Sequence, residues 1–148
     1  MSVFRLPKLL CLEINAIMGR FWWGHKEKDS KIAWMAWSGL GRNKLDGGLG
    51  YRDLISFNNA LLANQGWRLT KYPDTLVGKI FREKYYPTGD FLGSSLGSRP
   101  SYAWRSIWEA KPLLREGLMW RIGDGSNIRI RDDKWIPSTQ THMIQAQV

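Results

Sequence analysis

The stretch DLISFNNALLANQGWRLT, residues 53–70, predicts the main element of the fold. Asp53 is a residue type that caps helix N-termini, because its carboxylate can accept a hydrogen bond from a free backbone N–H group of the first turn. Four apolar residues then recur along one helical face: Leu54, Phe57, Leu61 and Leu62. We expect this helix to run to about Thr70 and to end at Tyr72-Pro73, since the residue before a proline disfavours helical geometry.

Helical spacing of apolar residues also predicts an element upstream of this stretch. A first helix starts at Pro7, which suits an initial turn, and stops near Gly24. Residues 31–37 have an ambiguous period and are interpreted as a short strand that leads into a helical turn over residues 37–40. Residues 41–50 then form a glycine-rich connection to the long helix.

Two further helices are expected downstream of the long one. Asp74 can cap a helix whose apolar residues continue to Tyr86, where the next proline breaks it. Ser101 can cap the following helix, and Pro112 should end or kink it. Residues 113–116 are expected to form a second short helical segment.

Near the end of the chain the apolar period changes from helical spacing to alternation. In the stretch WRIGDGSNIRIR, residues 120–131, apolar residues alternate with arginines on both sides of an Asp-Gly step. That arrangement is a strong local signal for a β-hairpin, which we predict over about residues 119–131. Its two faces would separate apolar residues from arginines: Trp120, Ile122, Ile128 and Ile130 on one, Arg121, Arg129 and Arg131 on the other.

These elements together predict an α+β fold, a mainly α-helical single domain with a short C-terminal β-hairpin. A chain of 148 residues fits one ordinary domain, which we expect to span residues 1–137. Residues 138–148 are polar and are predicted to be a disordered tail. No run of about 18 apolar residues occurs, so we expect no membrane span.

The chain is strongly basic. It carries 22 Lys and Arg residues against 13 Asp and Glu, a formal net charge of +9. A surplus of this size favours a polyanionic partner, either nucleic acid or an anionic membrane surface. The charge is spread along the sequence, so folding must assemble any binding face. The alternative is a solvated basic surface without a partner, because net charge governs solubility and non-specific binding rather than fold.

No motif supplies the residues of a catalytic site. Nucleophilic catalysis needs a Ser or Cys beside a base, yet the two histidines lie far apart and no G-x-S-x-G elbow occurs. Cys11 is the one cysteine, which excludes an internal disulfide and a cysteine-based zinc site. The adjacent carboxylates Asp132 and Asp133 would point to opposite faces of a strand and could not easily share a metal. We therefore expect a non-enzymatic chain with no cofactor, no metal and no small-molecule substrate.

Basic residues interleaved with aromatic ones form the pattern that indicates a ligand. Examples are Trp67-Arg68, Lys84-Tyr85, Trp104-Arg105 and Trp120-Arg121. Proteins often bind single-stranded nucleic acid by stacking bases on aromatic rings and contacting phosphates with Lys and Arg. Most of the tryptophans fall on apolar faces, where core packing is the simpler interpretation. The candidate nucleic-acid contacts are therefore surface cations: Arg121, Arg129 and Arg131 first, then Arg105, Arg68 and Lys84.

A series of short motifs covers nearly the whole chain, from residue 3 to residue 137. They are FWWG (21–24), KIAW (31–34), DGGLGYRDL (46–54), FNNALLA (57–63), GWRL (66–69), KYYP (84–87), SYAWRSI (101–107), GLMWRIGDG (117–125) and WIP (135–137). In order and spacing they resemble the C-terminal segment of plant LINE-type (non-LTR) retrotransposon reverse transcriptases. The chain is also similar to short uncharacterised open reading frames of plant mitochondrial genomes that derive from such elements.

The resemblance implies a position in a larger protein. In those elements this segment follows the polymerase palm, in the thumb or linker region, and precedes a Cys/His zinc-binding region. The catalytic aspartates of the family, in a Tyr/Phe-x-Asp-Asp motif, and its zinc ligands have no counterpart in this sequence. The resemblance therefore implies a fragment with at most non-specific RNA or DNA binding, whose other partner is the missing palm. The alternative is a structural or interaction subdomain, or a relic product, with no ligand of its own.

The resemblance leaves the compartment open. A retrotransposon product would act in the nucleus, whereas a product of a mitochondrial open reading frame would lie in the mitochondrion.

Overall fold

A computed structural model of the chain describes residues 2–24, 32–119, 121–124, 129–130 and 134–136. These ranges contain six α-helices: α1 (Lys8–Trp22), α2 (Trp37–Leu40), α3 (Leu54–Lys71), α4 (Leu76–Tyr85), α5 (Tyr102–Glu109) and α6 (Lys111–Gly117). A single 3₁₀ turn, Lys44–Asp46, lies between α2 and α3. Helix α3 contacts α1, α4, α5 and α6, so it is the central element of the fold.

Helix α3 confirms the prediction made from residues 53–70. The Asp53 carboxylate accepts a hydrogen bond from the backbone N–H of Ser56 at 2.8 Å, as an N-cap does. The buried residues of the helix are Asn58, Leu62, Ala63, Gly66 and Leu69. Most of these positions are three or four residues apart and therefore share one face, whereas Trp67 and Arg68 are exposed.

Local signals also set the ends of the later helices, with one exception. The Ser101 hydroxyl caps α5 and accepts a hydrogen bond from the N–H of Trp104 at 3.2 Å. The expected cap of α4 was Asp74, but Thr75 takes this role and accepts a hydrogen bond from the N–H of Gly78 at 3.2 Å. The two neighbours are both good capping types, so composition alone did not distinguish them. A proline at the start of α6 separates that helix from α5, as expected.

The core is built around Trp104, whose side chain is fully buried. Tyr85 stacks on it with ring centroids 4.5 Å apart, and Tyr86 stacks on it at 5.6 Å. Phe91 meets it edge-on at 5.8 Å. The indole N–H donates a hydrogen bond to the carbonyl of Leu96 at 3.1 Å, which satisfies the polar atom of the ring. Trp104 thus joins α5 to α4 and to the loop that follows α4.

Gly66 lets α3 approach this core closely. A Cβ atom at this position would lie 2.7 Å from Cε1 of Phe91 and 3.4 Å from Cδ2 of Leu114. Phe91 is only 1% exposed, so its ring has little room to move away. The small residue is therefore required by packing, although glycine weakens a helix interior by about 1 kcal/mol relative to alanine.

The predicted C-terminal β-hairpin over residues 119–131 is wrong, and with it the α+β class. Every regular element in the described ranges is helical, and neither 121–124 nor 129–130 has strand conformation. Ile122 is 48% exposed and Ile130 is 64% exposed, so the alternation buries no apolar face there. An isolated two-stranded hairpin is only marginally stable in water unless another element covers it. Met119, the first residue of the predicted hairpin, is not in a strand either, and residues 120, 125–128 and 131 lie outside the described ranges.

The short strand expected before α2 is also wrong where the structure describes it. Residues 32–36 contain no strand, whereas the helical turn predicted over residues 37–40 is confirmed as α2. Trp34 is 82% exposed, so this segment gains little from burial of its apolar residues. The predicted tail over residues 138–148 lies outside the described residues. In the described part of the chain, none of the helices has the length and apolar character to cross a bilayer.

Candidate nucleic-acid interface

The candidate contact residues on the helices all lie at the surface. Arg68 on α3, Lys84 on α4 and Arg105 on α5 are exposed. Arg105 directly follows the buried Trp104, and one step along a helix turns the next side chain by about 100°. The amphipathic character of α5 therefore places this guanidinium on the solvent side.

Two further candidates, Arg121 and Arg129, lie beyond α6 and are also exposed. The sixth, Arg131, is outside the described residues. The five described cations come from three helices and from the segment that follows them. Exposure to solvent is the property that they share.

The aromatic neighbours of these cations are divided between core and surface. Trp104 is a core residue, but it is the one fully buried tryptophan in the described ranges, so the interpretation of most tryptophans as core residues is not confirmed. Trp67, by contrast, is 38% exposed. The Lys84 ammonium lies 5.4 Å from the ring centre of Tyr85, a ring that also stacks on Trp104. Stacking with a nucleobase is therefore sterically open at Trp67 and closed at Trp104.

A groove lined by aromatic rings lies where α1 meets α2 and the start of α3. Its volume is about 480 Å³, and its walls include Phe21, Trp22, Trp37 and Tyr51. Tyr51 stacks on Trp37 with centroids 5.0 Å apart and meets Trp22 edge-on at 5.2 Å. Sequence reasoning missed this groove, because its rings come from three separate segments that only the fold brings together.

The segment before α1 is held against α3 and α5 by buried polar groups. The side-chain amide of Asn58, which is 2% exposed, accepts a hydrogen bond from the N–H of Leu6 at 2.9 Å and donates one to the carbonyl of Phe4 at 3.0 Å. The N–H of Arg5 donates to the Ser106 hydroxyl at 3.0 Å. These bonds fix the backbone of Arg5 and so direct its side chain toward α5.

A second cavity, of about 280 Å³, lies beside α5 and α6. Its charged walls are Arg5, Glu109, Lys111 and Arg115. Arg5 forms an ion pair with Glu109, and the Arg115 guanidinium donates a hydrogen bond to the carbonyl of Leu92. The cavity therefore combines three cations with one carboxylate.

Lys111 is the least expected member of this set, because it is only 6% exposed. Its ammonium donates hydrogen bonds to the carbonyl and hydroxyl oxygens of Ser94, and it lies 5.0 Å from the ring centre of Trp108. Burial lowers the pKa of Lys111 and the nearby Arg115 lowers it further, whereas Asp90 raises it. No residue pattern indicated this burial, since a lysine beside a proline is typical of a surface turn.

The described residues contain no group of three or more His, Cys, Asp or Glu side chains that could hold a metal ion. Cys11 is buried in α1, and its thiol is free.

Comparison with known proteins finds two plant relatives. The chain is 47% identical over 137 residues to the "Uncharacterized mitochondrial protein" of Arabidopsis thaliana, a match that covers 92% of this chain and 89% of the relative. It is 30% identical over 144 residues to a "Putative ribonuclease H protein" of the same plant, of whose length the chain spans only 22%. No protein-family model and no solved structure matches the chain. Because the first relative is matched along nearly its whole length, the chain belongs to the family of this mitochondrial protein of Arabidopsis thaliana.

Proposed function

We propose that this chain is a non-catalytic segment derived from the region after the palm of a LINE-type reverse transcriptase, and that it binds single-stranded RNA or DNA without sequence preference. The observation that carries the proposal is the exposure of all five described candidate cations on a chain of net charge +9. Contacts of Lys and Arg with phosphates release counterions and supply most of the free energy of non-specific binding. The 30% identity to part of a protein named as a ribonuclease H supports an origin in a nucleic-acid enzyme.

A salt titration of binding to a short single-stranded oligonucleotide tests the proposal. We expect binding at low salt, with the logarithm of the binding constant falling by about 0.7 per phosphate contact for each tenfold rise in salt. Replacement of Arg68, Lys84 and Arg105 together by glutamine should therefore reduce this slope by about two units. The same salt titration is carried out with a duplex of the same length as the second ligand.

The matched control removes three other exposed cations, Lys8, Arg42 and Lys44, so that both variants have the same net charge. We expect the control to keep most of the slope, because the proposal assigns the phosphate contacts to the first set. Equal losses in the two variants would contradict that assignment. Absence of binding even at low salt would contradict the proposal as a whole.

A second candidate function, that of an interaction subdomain, is favoured by the apolar surface of α1. Leu9 is 68% exposed, Leu12 58%, Ile17 57% and Phe21 86%. Soluble monomers rarely expose large contiguous apolar surfaces, and such surfaces usually mark sites of contact with other polypeptides. The 30% identical relative is more than four times as long as the matched segment, so the rest of such a larger protein is the proposed occupant.

If α1 is a contact surface, the isolated chain should self-associate as its concentration rises. Replacement of Leu9 and Phe21 by glutamate should weaken this association at least tenfold, because each buried apolar side chain contributes about 1.5–3 kcal/mol. Sedimentation velocity over a concentration series measures the effect. Leu45→Glu is the control, since Leu45 is 93% exposed and lies outside α1. A chain that stays monomeric at all concentrations and unfolds cooperatively would contradict this second function.

A further inference from the structure

The cavity beside α5 and α6 has an excess of positive charge. Its charged walls are Arg5, Lys111, Arg115 and Glu109, and Glu109 is already paired with Arg5. Neither Lys111 nor Arg115 forms an ion pair with a carboxylate in the described part of the chain. Two cations in one cavity are thus left with neutral hydrogen-bond acceptors alone.

Neutral acceptors do not compensate a buried charge. Lys111 is 6% exposed, and its ammonium is bound by the carbonyl and hydroxyl oxygens of Ser94. Arg115 donates a hydrogen bond to the carbonyl of Leu92. This bond uses only part of the guanidinium, which carries five N–H donors. Arg115 is exposed, so the argument from burial applies to Lys111, because buried charged side chains are rarely stable unless they meet an opposite charge. The lowered pKa of Lys111 has the same physical origin, since burial and Arg115 disfavour its charged form more than Asp90 favours it.

We propose that this cavity is a binding site for a phosphate group, held by Lys111 and Arg115 with Arg5 at its edge. A phosphate supplies both the missing negative charge and several acceptor oxygens, and guanidinium groups bind such oxygens in pairs. A phosphate group has only five non-hydrogen atoms. The cavity volume of about 280 Å³ can hold it, because a water molecule, with one such atom, occupies about 30 Å³. The side chain of Arg5 is 43% exposed, so one side of the site is open to solvent.

Thermal unfolding in inorganic phosphate tests the site without any nucleic acid. At a phosphate concentration about ten times the dissociation constant, we expect Tm to rise by about 3–5 °C relative to sodium chloride of equal ionic strength. Phosphorus NMR line broadening on addition of the protein gives an independent measure of binding. A Tm that is equal in the two salts, with no line broadening, would overturn the proposal and leave the salt titration of oligonucleotide binding unaffected.

Variants of the walls separate a phosphate site from a general effect on stability. Arg115→Gln should abolish the phosphate-specific rise in Tm, whereas Arg105→Gln should keep it, because Arg105 is exposed outside the cavity. Glu109→Gln should tighten phosphate binding several-fold, since it frees Arg5 and removes the one carboxylate of the cavity. Partial unfolding cannot produce tighter binding, so this variant keeps the test decisive even if Arg115→Gln is destabilised. Unchanged phosphate affinity in Arg115→Gln and in Glu109→Gln would overturn the proposal.

The same measurement distinguishes the two sources of a phosphate group. A short single-stranded oligonucleotide that displaces inorganic phosphate, and binds more weakly to Arg115→Gln than to Arg42→Gln, would assign the site to the nucleic-acid backbone. Arg42 is the control here because it is exposed and lies outside both the cavity and the proposed phosphate contacts. An oligonucleotide that leaves bound phosphate in place would assign the site to free phosphate or a small phosphate ester.

Discussion

Replacement of Trp104 by alanine should lower the free energy of unfolding by about 3–5 kcal/mol, which is the cost of removing a large aromatic side chain from a packed interior. Typical domains are stable by only about 5–15 kcal/mol, so this one substitution should remove a large share of the stability of the chain. The loss arises because Tyr85, Tyr86 and Phe91 all pack on this ring. In addition, the carbonyl of Leu96 would lose its indole donor.

Urea denaturation followed by far-ultraviolet circular dichroism measures this effect. The control is Trp34→Ala, because Trp34 is 82% exposed and should change the free energy of unfolding by less than about 0.5 kcal/mol. Trp104→Phe should fall between the two, since it keeps an aromatic ring but removes the N–H donor. Similar losses for Trp104→Ala and Trp34→Ala would show that the core is not centred on Trp104.

Replacement of Asn58 by alanine is expected to lower the free energy of unfolding by about 2–4 kcal/mol. The N–H of Leu6 and the carbonyl of Phe4 would both lose their partner, and each unpaired buried group costs about 1–3 kcal/mol. Asn58 is 2% exposed, so water has little access to replace its amide. The segment before α1 should therefore detach more readily from α3.

Chemical denaturation gives the free energy, and hydrogen exchange at the Leu6 amide reports the local detachment. Asn59→Ala is the matched control on the same helix: its side chain makes only a 3.4 Å contact with Arg5 and should cost well under 1 kcal/mol. Asn58→Asp keeps an acceptor for Leu6 but removes the donor to Phe4 and buries a negative charge, so at neutral pH we expect a loss at least as large as that of Asn58→Ala. Equal effects of Asn58→Ala and Asn59→Ala would exclude the anchoring role.

The helices were predictable because their signals are local. A cap such as Asp53 or Ser101 acts within one turn, and apolar residues three or four positions apart define a face before any partner is known. The same reasoning failed for the hairpin near Ile122 and Ile130. Alternation indicates a strand only if another layer covers its apolar side, and no part of residues 53–119 provides that cover for these two exposed residues.

The sequence predicted which cations are exposed but not which residues the fold brings together in the cavity beside α5 and α6. Amphipathic helices put Arg68, Lys84 and Arg105 at the surface, and the sequence alone predicted this. Burial of Lys111 depends instead on a loop that wraps over α6 and offers the oxygens of Ser94. Such burial follows from tertiary contacts between residues distant in sequence, so no periodicity could have indicated it.

The anchoring of the segment before α1 also affects when the fold can close during synthesis. The N–H of Arg5 donates to the hydroxyl of Ser106, a bond between residues 101 positions apart in sequence. Translation proceeds at about 5–20 residues per second, so the segment before α1 must wait roughly 5–20 s for this acceptor to leave the ribosome. During that interval the segment before α1 has no docked neighbour from α5, and the nascent chain is exposed to chaperones and to aggregation before its last helices close the core.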